Sequence, residues 1–77
     1  MKGARTYTLV VEPEEDGGYF VTVPALPGCF TRGSTIEECH ARAAEAIEVH
    51  IAGLVADGAS VPQDAGKPQL LSVTVTA

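Results

Sequence analysis

Residues 17–38, GGYFVTVPALPGCFTRGSTIEE, constrain the fold more than any other stretch of this chain. Two short runs rich in β-branched and aromatic side chains are joined through a Pro-x-x-Pro-Gly corner, and the second runs straight into a helix-start signal. Pro24 has no amide to give a ladder, so it ends the first run, and Pro27-Gly28 turns the chain into residues 29–33. Gly33-Ser34 then leads to the helix, with Ser34 as the expected N-cap and Glu37 completing a capping box. Strand, corner, strand and helix therefore follow one another with no room for other elements between them.

Upstream, residues 6–12 read TYTLVVE, which puts Tyr7, Leu9 and Val11 on one face by period two. Pro13 ends that run. Glu14-Glu15-Asp16-Gly17-Gly18 supplies the turn, and Tyr19, Val21 and Val23 line one side of the next run, opposite Phe20 and Thr22. The pattern predicts a hairpin. Gly17, Gly18, Gly28 and Gly33 are read as turn and close-approach positions, because neither dinucleotide nor P-loop spacing occurs around them.

The helix is expected from Thr35 to about Ala56, stopping at Asp57-Gly58. At 100° per residue, Ala43, Ile47, Ile51 and Leu54 fall within about 60° of Ile36, making one apolar stripe. Glu37, Glu38, Arg42, Glu45 and Glu48 take the other side, and Val49 is an apolar exception there. Gly53, near Val49, is a place where a second backbone can approach. Residues 59–69 carry Pro62, Gly66 and Pro68 and read as a loop, and LLSVTVT at 70–76 alternates as a final strand.

The expected fold is α+β: a mostly antiparallel sheet in the order β-β-β-α-β, with one long helix across one face. All of it makes one domain over residues 1–77. A domain of this size buries only about 60% of the surface its unfolded chain exposes. One helix covers one sheet face, so the other, bearing Val10, Phe20 and Leu70, is the expected interface of a homo-oligomer, most simply a dimer.

Charge narrows the function mainly by exclusion. Ten acidic against five basic residues give a net charge of −5, with no basic cluster of the kind that displaces counterions from nucleic acid. A basic protein is the better-matched partner, and the exposed turn Glu14-Glu15-Asp16 is the natural element to steer it. The competing reading of that turn is a solvated hairpin tip. No stretch reaches membrane-spanning length, residues 1–18 lack the apolar run of a secretory signal, and two cysteines are too few for a disulfide scaffold. A cytoplasmic protein with reduced thiols is expected.

Catalytic residues, a metal site and a cofactor are not expected. His40 and His50 stand about 15 Å apart along the helix axis and cannot share an ion. Cys39 and His40 point about 100° apart, which leaves Cys29 approaching His40 in space as the one Cys-His dyad to test. The carboxylates are explained by turn, cap and solvent face rather than by convergence on divalent ions.

Taken in order, Tyr7-x-Leu9-x-Val11-Glu12-Pro13, Glu15-Asp16-Gly17-Gly18-Tyr19, Val23-Pro24-Ala25-Leu26-Pro27-Gly28-Cys29, Gly33-Ser34-Thr35-x-Glu37-Glu38 and Glu45-Ala46-Ile47 resemble the HicB-like antitoxin family. The resemblance implies a partial, degenerate RNase H-like core without catalytic carboxylates. It also implies a bacterial type II antitoxin that occludes a HicA-type toxin, a small basic RNA-cleaving protein. Cys39 and His40 stand where the family usually has Ala and an apolar residue. As the chain stands, it looks like the short form without a C-terminal DNA-binding segment. Two further readings stay open: a solitary oligomeric domain of the same fold with another protein or small-molecule partner, and a degenerate nuclease. A basic neighbouring reading frame with a conspicuous histidine would favour the antitoxin.

Overall fold

The structure is a computed structural model that describes residues 4–76; positions 1–3 and 77 of the expected domain lie outside the described residues. Three antiparallel strands, β1 (Val10–Pro13), β2 (Tyr19–Thr22) and β3 (Phe30–Gly33), are followed by one helix, α1 (Ile36–Ala56). The sheet order is β1-β2-β3, so β1 and β3 are its two edges.

The hairpin forms where the turn chemistry puts it. Gly17 donates to the Glu14 carbonyl (3.0 Å) and Glu14 donates to that of Gly18 (2.7 Å), closing a short loop with Gly17 at φ 96°. That backbone is open to glycine at little cost. Pairing sets Val11 opposite Val21 and Glu12 opposite Phe20. The ladder starts at Val10 rather than at residue 6. Continuing its register puts Thr8 opposite Pro24, which has no N–H to give. The Thr8 amide instead donates to the Asp64 carboxylate at 2.9 Å.

The Pro-x-x-Pro-Gly corner is two turns in succession. Leu26 donates to the Val23 carbonyl and Cys29 to that of Leu26, both at 2.9 Å, and Val23 donates to Cys29 at 3.2 Å. Pro27 precedes Gly28 at φ 85°, the arrangement of a type II turn. The corner drives Leu26 inward until none of it is exposed. It is the largest wholly buried side chain.

The helix cap lies one residue later than expected. Thr35, not Ser34, is the N-cap; its hydroxyl accepts from the Glu38 amide (3.1 Å), and the Glu38 carboxylate accepts from the Ser34 amide (2.9 Å). Glu38, not Glu37, is therefore the reciprocal partner, and it reaches the amide just before the cap rather than that of the cap itself. Cys39 sits against Gly33, and Glu38 also reaches Arg42 at 3.3 Å. At the other end Ala59 donates to Leu54 and Gly58 (φ 72°) to Val55, a Schellman stop.

α1 lies across β3 and β2. Val21, Cys39 and Ala43 form one core cluster, backed by Leu9, Val11 and Tyr19. Val23, Leu26 and Cys29 form the second, backed by Tyr7, Ala46, Ile47, Ile51 and Leu54. Ile36, expected in the buried stripe, is 54% exposed, because the contact with the sheet is centred on Cys39 and Ala43 instead. Val49 is exposed as its place on the charged side predicts, and among the described residues no atom beyond the helix's own backbone comes within 4 Å of where a Cβ on Gly53 would sit.

The expected fourth strand is absent. Residues 60–76 carry no regular element and, among the described residues, make no backbone–backbone hydrogen bond. Alternation makes a segment fit for a sheet but does not supply the neighbouring edge that a strand requires.

Candidate functional site

The hairpin tip and the start of α1 come together as one polar surface. Glu14, Asp16, Gly17 and Gly18 share a shallow depression with Arg32, Ser34, Glu38 and Arg42. The three acids singled out in the sequence do not stand equal there. Glu14 is held by Arg32 (Nε to Oε1, 3.1 Å), which restrains it and cancels much of its charge. Asp16 accepts from the Gly18 amide at 3.2 Å and remains exposed. Glu15 is exposed and makes no hydrogen bond among the described residues. The negative potential of the tip therefore rests on Glu15 and Asp16, with exposed Glu12 beside them.

The face away from α1 carries an arrangement that sequence reasoning passed over. The Arg32 guanidinium lies 4.9 Å from the centre of the Phe20 ring, and the Phe20 and Phe30 rings are 5.7 Å apart at 37°. Arg32 is thus shared between an aromatic face and the Glu14 carboxylate. Period two in β3 held the signal: Phe30 and Arg32 alternate with core-facing Cys29 and Thr31. Of the expected oligomer contacts, Val10 lies on this face with Phe20 by register. Leu70 lies outside the three-stranded sheet. It stands at the β1 edge, across a gap from residues 8–13.

A larger cleft, about 830 Å³, opens between the lead into β1 and the helix. Tyr7 and Leu9 form one wall, Ile47, Ile51 and Val55 the other, and Arg5, His40 and Glu48 stand at its rim. This groove exists because α1 leans toward β3 and leaves the β1 side of the sheet less covered.

The Cys-His pairing that the sequence left open does not form. Cys29 neighbours His50 beside β3, while His40 borders the cleft on the other side of the helix. Burial pushes the Cys29 thiol above its ordinary value of 9.0, the opposite of what an activated nucleophile needs. Cys39 is 1% exposed against Gly33. Both cysteines are free, and among the described residues no three His, Cys, Asp or Glu side chains converge as metal ligands.

The family of HicB-like antitoxins of bacterial toxin–antitoxin systems matches residues 7–72, from the first core tyrosine into the tail. The chain belongs to that family. A UPF0150 protein of Thermoplasma acidophilum is 45% identical over 58 residues, covering 75% of this chain and 84% of that protein. A UPF0150 protein of Synechocystis is 43% identical over 58 residues, 75% of this chain and 73% of its own. Antitoxin HicB 1 of Photorhabdus laumondii is 44% identical over 41 residues, which is 53% of this chain and 26% of that antitoxin. Among the described residues of this HicB-like chain, no helix is long and apolar enough to cross a membrane.

Proposed function

We propose that this HicB-like protein is a non-catalytic antitoxin that binds and occludes a small, basic, HicA-type RNA-cleaving toxin in the bacterial cytoplasm. The observation that carries the reading is the family match across residues 7–72. The chemistry agrees with it: a net charge of −5 complements a basic partner, and the exposed carboxylates of Glu15 and Asp16 stand clear at the hairpin tip. The buried Cys29 thiol, raised by desolvation, suits packing beneath a binding surface better than nucleophilic attack. In this reading the β-β-β-α unit is a partial RNase H-like core used as a scaffold. The protein self-associates through the β1 side of the molecule, where Val10 and Leu70 stand.

The test is association with an authenticated basic toxin, followed by stopped flow. Replacing Glu15→Gln and Asp16→Asn together is expected to slow association several-fold at low salt, with the difference closing as salt rises, because exposed charges are screened beyond about 8–10 Å at 0.1–0.15 M. Dissociation stays nearly unchanged, and Glu14→Gln contributes least because Arg32 already neutralises it. Growth arrest by the toxin that this protein fails to relieve would refute the antitoxin reading. An unchanged on-rate at low salt would refute only the role of the tip.

A further inference from the structure

The last segment of the chain has the pattern of a strand and the surroundings of none. Period two would set Leu71, Val73 and Val75, which are 88%, 85% and 74% exposed, on one side of an extended strand and Ser72, Thr74 and Thr76 on the other. Leu70 is 95% exposed. An uncharged row of this kind, making no backbone–backbone hydrogen bond among the described residues, is what an edge-seeking strand looks like before it is paired.

Its own sheet is out of reach, for a reason the tether makes plain. The Tyr7 hydroxyl donates to the Pro62 carbonyl, and Asp64 accepts from the amide and the hydroxyl of Thr8 at 2.9 and 2.7 Å. These bonds pin the chain at the start of the β1 edge. Lys67, Pro68 and Leu70 then pass beside residues 8–13, separated from them by a gap. By Leu70 the chain has come level with β1, so residues 71–76 run on past its end.

We propose that residues 70–76 form the missing edge strand of a second copy of this chain, exchanged reciprocally between two copies. The acceptor is the outer edge of β1, which β2 leaves unpaired. With the two-fold axis perpendicular to the strands, a tail that runs along its own β1 meets the partner's β1 in the opposite sense, and the added pair is antiparallel. At roughly 60–120 Å² of apolar surface per side chain, four such side chains per tail bury several hundred Å². Counting both tails and the surfaces they cover, the total comes to roughly 1,000–2,000 Å², the range of a stable interface. The inference deepens the self-association in the function proposed above by naming the segment that makes it, and it does not depend on a toxin.

Sedimentation of the full chain across a range of concentrations, with hydrogen exchange of the tail amides, tests it. The expected result is a species of twice the 8.0 kDa chain mass. Amides in 70–76 should be protected at high concentration and should exchange freely on dilution. In full-length Val73→Asp the dimer is expected to weaken on the order of 100-fold or more, since the exchanged row would bury an unpaired carboxylate. Helix content by circular dichroism stays unchanged, because Val73 touches nothing in its own subunit's core. A dimer that persists in Val73→Asp overturns the exchange while leaving self-association standing. A full chain that is monomeric, whether its tail amides are protected or free, overturns both.

Discussion

Gly33 is where strand and helix come closest, and replacing it with alanine should be costly for a reason that is purely spatial. Its φ is not in the left-handed region, so alanine brings no backbone strain. A Cβ built there, however, would lie 2.8 Å from the Cys39 nitrogen, 2.8 Å from its Sγ and 3.1 Å from its Cα. Ordinary contact begins near 3.5 Å, so the methyl intrudes by about half an ångström or more on three atoms, two of them backbone. The sulfur cannot swing away, because Cys39 is buried against Val21 and Ala43. The helix itself must move off β3. Overpacking of this kind costs about 1–3 kcal/mol, reduced by roughly 0.4–1 kcal/mol because alanine restricts the unfolded chain. A net loss of about 1–2 kcal/mol is a large part of the roughly 4–12 kcal/mol a chain of this length has. Urea denaturation at one fixed protein concentration, followed by circular dichroism, should show the midpoint falling by roughly 1 M or more with an unchanged slope. Repeating the substitution in a Cys39→Ala background removes only the Sγ contact, so most of the penalty should remain. A midpoint equal to that of the parent would refute the argument. Full recovery in the Cys39→Ala background would show that the side chain alone sets the fit.

Two further outcomes follow from particular contacts. Gly53→Ala sits in the exposed interior of α1 with no atom within 4 Å, so it should stabilise by about 0.8–1 kcal/mol and raise the melting temperature by several degrees; a loss of stability would mean that a second backbone approaches there. The Asp64 carboxyl is held below its ordinary value of 3.8 by the Thr8 amide and hydroxyl, so its latch stabilises fully above that pH and is lost as pH falls below it through the lower folded value. Protection of the Thr8 amide, taken relative to its intrinsic exchange rate at each pH, should fall across that acid range in the parent and show no such transition in Asp64→Asn, where a parallel acid response would refute the assignment.

The sequence by itself determined the local elements, because each is specified by neighbours along the chain. The hairpin came from period two around a turn that needs Gly17, the corner from Pro24 and Pro27-Gly28, and the helix from its stripe and its glycine stop. Even the acidic tip was legible, since a turn between two strands is exposed wherever the sheet sits. Its electrostatics were not: Arg32 is eighteen residues from Glu14 along the chain, and only the pairing of β2 with β3 brings them together. The cap stands at Thr35 where the sequence pointed to Ser34, and it is the folded helix, with Cys39 seated against Gly33, that shows which hydroxyl meets the Glu38 amide. His40 and Cys29 were separated by the helix that lies between their sites. The last strand shows the limit most clearly. Residues 70–76 have the alternation of a strand in full, yet a strand exists only through hydrogen bonds to another backbone. Which backbone lies alongside is decided by where the Tyr7–Pro62 and Thr8–Asp64 contacts hold the tail, and that is a property of the folded molecule alone.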